Sequence, residues 1–149
     1  MNKKNLEIVC KKLGHLLADI YVLYIKTLNF HWNMEGSEFF MYHKLLQSQY
    51  EELSEAADEV AERIRQLGKL APCSMKEFLA LARLKESSGK LPMATMIKEL
   101  VKSHEQMVDY CRDIVEYCDE HKDLGTSDLI VTRMRSHDKE AWLLRSNIR

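Results

Sequence analysis

One flank of a long predicted helix carries side chains of the types that bind metal ions. The four that share it, within an arc of roughly 100° at about 100° per residue, are His43, Gln47, Asp58 and Glu62. This flank lies beside the apolar stripe that must face the protein core, so the four side chains point away from the core of their own chain. Imidazole and carboxylate groups without a thiolate form a set that suits iron.

Two pairs within this set are spaced one helical turn apart. Asp58 and Glu62 form an i,i+4 pair of carboxylates, which repel each other unless a cation lies between them. His43 and Gln47 form the second pair, and His31, at the end of the preceding helix, is expected to lie near His43. The alternatives are an ordinary solvated charged face for the carboxylates and a packed helix-end histidine for His31.

The two pairs cannot meet within one chain. His43 and Asp58 are separated by 15 positions, which is about 22 Å of helix at 1.5 Å per residue. A second copy running antiparallel across a two-fold axis would bring them together, and such a dimer would hold two equivalent sites. The sequence contains no Glu-x-x-His, so the usual di-iron site inside one helical bundle is absent.

Four long helical patterns position these residues, and no stretch alternates convincingly like a strand. The patterns are residues 5–33, residues 37–67, residues 92–124, and a fourth that begins at a cap on Thr126 or Ser127 and includes Trp142 and Leu144 in its apolar stripe. Gly68 is expected to cap the second helix, and Gly125 to end the third. A capping box from Ser74 to Glu77 predicts a short helix between them.

The composition is that of one globular domain spanning residues 1–149. Hydrophobic residues make up 46% of the chain and charged residues 30%, with only five Gly and two Pro, which favours long helices. The predicted fold class is all-α, a four-helix bundle with a short extra helix in the connection between helices two and three.

Charge and cysteine usage exclude several classes of protein. A net charge of −1 gives no global attraction to nucleic acid or to an anionic membrane. No apolar run is long enough to span a bilayer, and Lys11, Lys12 and Asp19 interrupt any signal-peptide-like segment, so a cytoplasmic location is expected. The four cysteines include no CxxC pair, and Cys111 and Cys118 are expected to be reduced thiols in the core.

The segment 21–36, which reads YVLYIKTLNFHWNMEG, closely resembles the Dps family, the dodecameric miniferritins. The resemblance continues through His43 and the segments 49–53 and 58–63, and it extends over nearly the whole chain. It implies a ferritin-like bundle assembled into a hollow shell of twelve subunits. It also implies oxidation of Fe(II), preferentially by hydrogen peroxide rather than oxygen, storage of the ferric product, and protection of DNA from oxidative damage.

The same resemblance implies which residues form the ferroxidase site. One subunit supplies His31 and His43, and its two-fold partner supplies Asp58 and Glu62, so the cofactor is a two-iron centre shared between subunits. Trp32 would lie beside the site and take up stray oxidising equivalents. Its alternative role is to pack the helix hairpin.

Gln47 departs from the family pattern, which usually has an acidic residue at this position. A neutral amide oxygen is a poorer ligand for iron than a carboxylate. The first iron position, built on His31, Asp58 and Glu62, is retained, whereas the second is expected to be weak. Oxidation is therefore predicted to be slower or to rely on a transiently bound second iron, unless Glu51 compensates.

Further acidic residues match the family's route for iron. Asp123 and Asp128 occupy positions similar to the acidic lining of the family's three-fold pores, where a ring of carboxylates attracts Fe(II). Helix capping is their alternative role. Weaker candidates for nucleating mineral are Glu52, Glu55 and Glu59. Four histidines have no counterpart in the family pattern and are discounted as ligands: His15, His104, His121 and His137.

Two other functions remain open. Some family members coat DNA as structural nucleoid proteins, often through a basic tail, but here the tail is only Met1 to Asn5 with two lysines. Twelve copies could still add up by multivalency, although binding is expected to be weak. The third possibility is a passive iron-binding shell whose site is impaired by Gln47.

Overall fold

The computed structural model describes residues 1–148 and contains, within that range, five α-helices and no β-strand. The helices are α1 (Lys3–Asn33), α2 (Phe39–Gln66), α3 (Met75–Leu81), α4 (Met93–Glu120) and α5 (Leu124–Arg145). The predicted all-α bundle with one short extra helix between the second and third long helices is therefore confirmed.

The four long helices pack as two hairpins. α1 lies along α2 and α4 along α5, while α1 also contacts α4 and the short helix α3. Leu13, Leu16, Ile20 and Leu23 of α1 are fully buried in the interior, where each apolar side chain contributes about 1.5–3 kcal/mol by leaving water. These contacts hold α1 and α2 as a rigid support for the residues at their junction.

Side-chain and glycine caps define the ends of α2 and α3. Gly68 has φ +86°, and the next residue's amide donates to the Ile64 carbonyl at 3.2 Å, which is the hydrogen bond of a Schellman cap. At the start of α3, the Ser74 hydroxyl accepts from the Glu77 amide at 3.1 Å, and the Glu77 carboxylate accepts from the Cys73 amide at 3.0 Å. The predicted caps at Gly68 and Ser74 are both confirmed.

The start of α5 differs from the prediction. The N-cap is Asp123, whose carboxylate accepts from the Thr126 amide at 3.2 Å, so neither Thr126 nor Ser127 caps the helix. Gly125 lies inside the first turn of α5, and α4 already ends at Glu120. A Cβ on Gly125 would come within 2.9 Å of Nη2 of Arg63, so this glycine permits a close approach by a neighbouring side chain.

Two further sequence expectations have clear outcomes. All four cysteines are free, and Cys111 and Cys118 are buried as predicted; burial raises the pKa of each thiol to about 12, so both stay protonated. Trp142 was expected in the core, but its side chain is exposed because it faces away from the bundle. No helix in residues 1–148 combines the length and apolar character needed to cross a membrane.

Candidate metal centre

His31 and His43 meet where α1 turns into α2. The two imidazole rings are stacked, with centroids 3.7 Å apart and planes inclined by 9°. The turn between the helices brings them together, and Gly36 within it has φ +146°, a conformation that side chains disfavour. The two histidines belong to successive helices, as predicted, and their predicted proximity is confirmed.

Each of these histidines is anchored by the other's backbone. Nδ1 of His31 lies 2.7 Å from the carbonyl oxygen of His43, and Nδ1 of His43 lies 2.8 Å from the carbonyl oxygen of His31. Because a carbonyl oxygen only accepts, Nδ1 of each ring must be the donor. In the neutral rings both Nε2 atoms then carry a lone pair, which is the form that binds a metal ion.

Aromatic side chains hold the two rings in place. Phe39 lies 4.9 Å from the His43 ring, and Tyr50 meets the His31 ring edge-on at 5.1 Å. His31 is buried and His43 is half-buried. The pair is therefore preorganised in one orientation, with restricted contact with water.

Gln47 and Glu51 continue the same face of α2 beyond the histidines. The Gln47 amide nitrogen donates to Oε1 of Glu51 at 2.9 Å, and both side chains are exposed. This contact uses the nitrogen of the amide, so its oxygen remains free to act as a neutral ligand. Glu51 is held by the same hydrogen bond, one turn further from His43.

Asp58 and Glu62 lie further along α2, on its exposed surface. Neither carboxylate makes an ion pair or a side-chain hydrogen bond within the described part of the chain. Within residues 1–148, no group of three or more His, Cys, Asp or Glu side chains is arranged to hold a metal ion. One chain thus presents two histidines and two carboxylates as separate pairs.

Trp32 follows His31 directly and points outward. Its side chain is 68% exposed, so it does not pack the helix hairpin of its own chain, and that alternative is wrong. Phe40, on the other side of the turn, is equally exposed at 68%. Both rings thus present apolar surface to solvent, one on each side of the turn between α1 and α2.

The two acidic residues near the start of α5 differ in exposure to solvent and in their contacts. Asp123 is buried, caps α5 and pairs with Nη2 of Arg63 at 3.1 Å. Asp128, in contrast, is exposed. The capping alternative therefore describes Asp123, and only Asp128 presents its carboxylate to solvent.

A second histidine pair lies in the interior of the bundle and was missed as a pair from sequence. Nδ1 of His104 on α4 lies 2.9 Å from Nδ1 of His137 on α5, and both residues are fully or almost fully buried. Burial lowers the pKa of His104 to about 3 and that of His137 well below its ordinary value, and the Arg133 charge adds to both shifts. A signal existed, because His104 interrupts the apolar stripe of α4 between Leu100 and Met107.

The interior histidines belong to a polar layer supplied by α2, α4 and α5. Arg133 forms an ion pair with Glu52, with Nη1 and Oε1 2.6 Å apart. Burial raises the pKa of Glu140, which lies in the same layer. Within the described residues, Nε2 of both histidines, the Gln49 amide atoms and Oε2 of Glu140 are buried without a partner, so buried polar groups offset part of the stability of the core.

Comparisons with known proteins agree with this architecture. A family model described as a ferritin-like domain matches residues 10–149. A low temperature-induced protein of Nostoc sp. is 44% identical over 142 residues, which cover 94% of this chain and 79% of the relative. DNA protection during starvation protein 2 of Bacillus anthracis is 32% identical over 146 residues, 98% of this chain and 97% of the relative.

A comparison with a solved structure also indicates a ferritin-like fold. The Dps protein from Vibrio cholerae O1, described as a member of a broad superfamily of ferritin-like diiron-carboxylate proteins, matches with a TM-score of 0.96 at 30% identity, over 100% of this chain and 94% of that one. Sequence match, fold and relatives of nearly equal length agree, and the chain belongs to the Dps family of ferritin-like miniferritins.

Proposed function

We propose that this protein oxidises Fe(II) at sites shared between two antiparallel copies of the chain. One subunit provides His31 and His43, and the other provides Asp58 and Glu62. The observation that carries the proposal is the reciprocal hydrogen bonding of the two histidines at the junction of α1 and α2, which leaves the Nε2 lone pair of each neutral ring available. Further along α2, two exposed carboxylates have no side-chain partner within the described residues. Imidazole and carboxylate together form the ligand set that iron prefers.

An exposed apolar groove supports the association of two copies of the chain. Its walls come from α1 and α3 and include Tyr21, Ile25 and Leu79, and the last two side chains are exposed. Exposed apolar surface of this kind is typical of a protein–protein interface.

The proposed chemistry is a two-electron reduction of hydrogen peroxide. Two Fe(II) ions give up one electron each, the O–O bond breaks, and two protons from solvent complete two water molecules. The first iron is bound by His31 together with Asp58 and Glu62 of the partner copy, whose negative charges favour the more highly charged ferric product. The packing of His31 against Tyr50 keeps its Nε2 in one orientation during this change.

Gln47 makes the second iron position the weaker one. Beside His43 it offers only a neutral amide oxygen, and the nearest carboxylate on the same face, Glu51, is hydrogen-bonded to the Gln47 amide nitrogen. The second iron is therefore bound loosely or transiently, and oxidation is slower than with an acidic residue at this position. Glu51 compensates if its other oxygen, Oε2, which does not take part in that hydrogen bond, binds the iron.

We further propose that the ferric product is stored inside a dodecameric shell and that removal of iron and peroxide protects DNA. Exposed Asp128 is the remaining candidate for a pore that admits Fe(II). Glu55 and Glu59 are exposed candidates for mineral nucleation, whereas the Glu52 carboxylate is occupied by Arg133. Peroxide is the proposed oxidant in preference to oxygen, and Trp32 lies where stray oxidising equivalents would arise.

The experiment is anaerobic loading of the purified oligomer with Fe(II), followed by a pulse of peroxide while ferric absorbance is recorded. Rapid oxidation at low iron load that is lost in Asp58→Ala supports the proposed site. Glu116→Ala, which removes an exposed carboxylate on α4, is the matched control and retains the rate. Oxidation no faster than that of free iron would instead support a passive iron-binding shell.

DNA coating is the less favoured function. Lys3 and Lys4 are already in the first turn of α1, so the basic residues do not lie on an extended tail within the described chain. A gel-shift titration of a duplex at several salt concentrations tests this function. Retardation that persists at physiological salt would favour DNA coating over protection through iron chemistry alone.

A further inference from the structure

A cavity of about 340 Å³ lies between α1, α4 and the connection that precedes α4. Basic side chains from all three segments line it: Lys26 from α1, Arg83 and Lys85 from the connection, and Lys102 from α4. No residue of α2 contributes to its walls, so the cavity is separate from the candidate metal centre. Its volume falls at the lower end of the range of small-ligand pockets.

Lys26 is a buried cation with little compensation. The residue is 7% exposed, and within residues 1–148 its ammonium has one hydrogen-bond partner, the Ser103 hydroxyl at 3.1 Å. An ammonium group carries three donors, and burying it without an anionic partner is costly. Burial lowers the pKa of Lys26, and the charge of Glu99 opposes this only in part.

The other charges around the cavity leave it positive. Arg83 is neutralised, because Asp19 accepts from its Nε at 2.9 Å and lies 2.8 Å from its Nη2. The remaining lining charges are three ammonium groups, Lys26, Lys85 and Lys102, against two carboxylates, Glu86 and Glu99. One positive charge is therefore left over at this cavity, and its buried cation, Lys26, forms no ion pair within residues 1–148.

We propose that this cavity binds a small phosphate-bearing anion, with Lys26 as the buried donor. A tetrahedral oxyanion concentrates several acceptors in a small volume, and it matches the remaining donors of Lys26 together with the ammonium groups of the exposed residues Lys85 and Lys102. The anion pairs with the buried charge, so its binding stabilises the fold. This site is independent of iron oxidation and does not rest on it.

Inorganic phosphate is the probe for this site. The assembled protein is titrated with phosphate at constant ionic strength, and binding is followed by ³¹P NMR and calorimetry. We expect saturable binding that weakens roughly ten- to a hundredfold in Lys26→Met, because one charge-assisted contact is lost, and to a smaller extent in Lys102→Ala. Lys98→Ala removes an exposed lysine of α4 that does not line the cavity and leaves the affinity unchanged.

Thermal stability gives a second readout, because the melting temperatures of the wild type and Lys26→Met are expected to compare differently without and with phosphate. Without phosphate, Lys26→Met is expected to melt at the same temperature as the wild type or higher, since a buried charge is replaced by an apolar side chain of similar length. With phosphate, the wild type gains melting temperature and Lys26→Met does not. Sulfate at the same ionic strength separates binding of a tetrahedral anion in general from a preference for phosphate, and both results support the site.

Three results would overturn the proposal. They are the absence of saturable phosphate binding by the wild type, equal affinity in Lys26→Met, and displacement of phosphate by a short DNA duplex at physiological salt. The last would assign the positive charge to a nucleic-acid backbone instead of a free anion. Because Lys102 is exposed, Lys102→Ala keeps the test valid even if Lys26→Met alters folding.

Discussion

His31 and His43 each direct Nδ1 at the other's backbone carbonyl, at 2.7 and 2.8 Å. The relationship is reciprocal, so the junction of α1 and α2 sets the tautomer of both rings without help from any third side chain. Substituting one histidine leaves the backbone carbonyl that anchors the other. The two rings are therefore separable in an experiment.

The first prediction concerns His43. In His43→Ala, His31 keeps its hydrogen bond to the carbonyl of residue 43, so the first iron position survives while the second loses its histidine. Anaerobic calorimetry with Fe(II) should show the tight binding step retained and the weaker step lost. His31→Ala should instead abolish the tight step, and loss of the same step in both variants would contradict the assignment.

The second prediction concerns the neutral ligand. Gln47→Asp supplies a carboxylate beside His43 and should raise the rate of peroxide-dependent oxidation roughly tenfold, which corresponds to about 1.4 kcal/mol of activation free energy. It also removes the amide that binds Glu51, and the two acidic groups then repel each other in the absence of metal. The apo protein should therefore lose about 0.2–0.5 kcal/mol of stability.

Gln47→Asn is the matched control because it shortens the side chain without adding charge. Its oxidation rate should not rise above that of the wild type. Identical stopped-flow traces for Gln47→Asp and the wild type would show that Gln47 does not limit the reaction, and that the second iron position depends on other groups.

The sequence predicts the helices well because their signals are local. Apolar spacing defines the long helices, and the caps at Gly68 and Ser74 depend on residues within one turn. The predicted start of α5 was wrong because the actual start also involves a contact between residues far apart in sequence. The approach of Arg63 from α2 to Gly125 and Asp123 is a long-range contact, and no local pattern distinguishes this cap from one at Thr126.

The residues of the candidate site and of the interior also differ in how far the sequence predicts their positions. Proximity of His31 and His43 follows from a helix hairpin with a short turn, and it could be predicted. For the buried pair, the sequence signals only that His104 interrupts an apolar stripe. Its pairing with His137 could not be predicted, because it depends on how α4 and α5 face each other. Lys26 was also overlooked, since a lysine on a helix is usually exposed and only the packing of α4 buries it.

The third prediction concerns acid stability. His104 and His137 are held neutral by burial, with the His104 pKa lowered to about 3, whereas in the unfolded chain a histidine takes up a proton near pH 6.5. The unfolded state therefore binds more protons below that pH. Stability is fully present above about pH 6.5 and falls as the pH drops, by up to about 1.4 kcal/mol per pH unit for each histidine.

A double variant tests this explanation. His104→Leu/His137→Leu removes both rings, so neither is left without its partner, and unfolding followed by circular dichroism from pH 7.5 to 4.5 should show a flatter profile. His121→Gln removes a histidine outside the buried pair and should leave the profile unchanged. An equally steep loss of stability in the double variant would assign the acid sensitivity to other groups.

The last prediction separates capping from iron entry near the start of α5. Asp123→Ala removes both the cap on Thr126 and the partner of Arg63, and it should lower stability by about 1–3 kcal/mol. Asp128→Asn removes an exposed charge and should leave the melting temperature unchanged, while slowing Fe(II) uptake most strongly at low ionic strength, where attraction by carboxylates is least screened. Uptake that depends on Asp123 in a fully folded variant, and not on Asp128, would reverse this assignment. Measuring thermal melting and uptake on the same preparations decides between them, because a cap acts on the first quantity and a pore residue on the second.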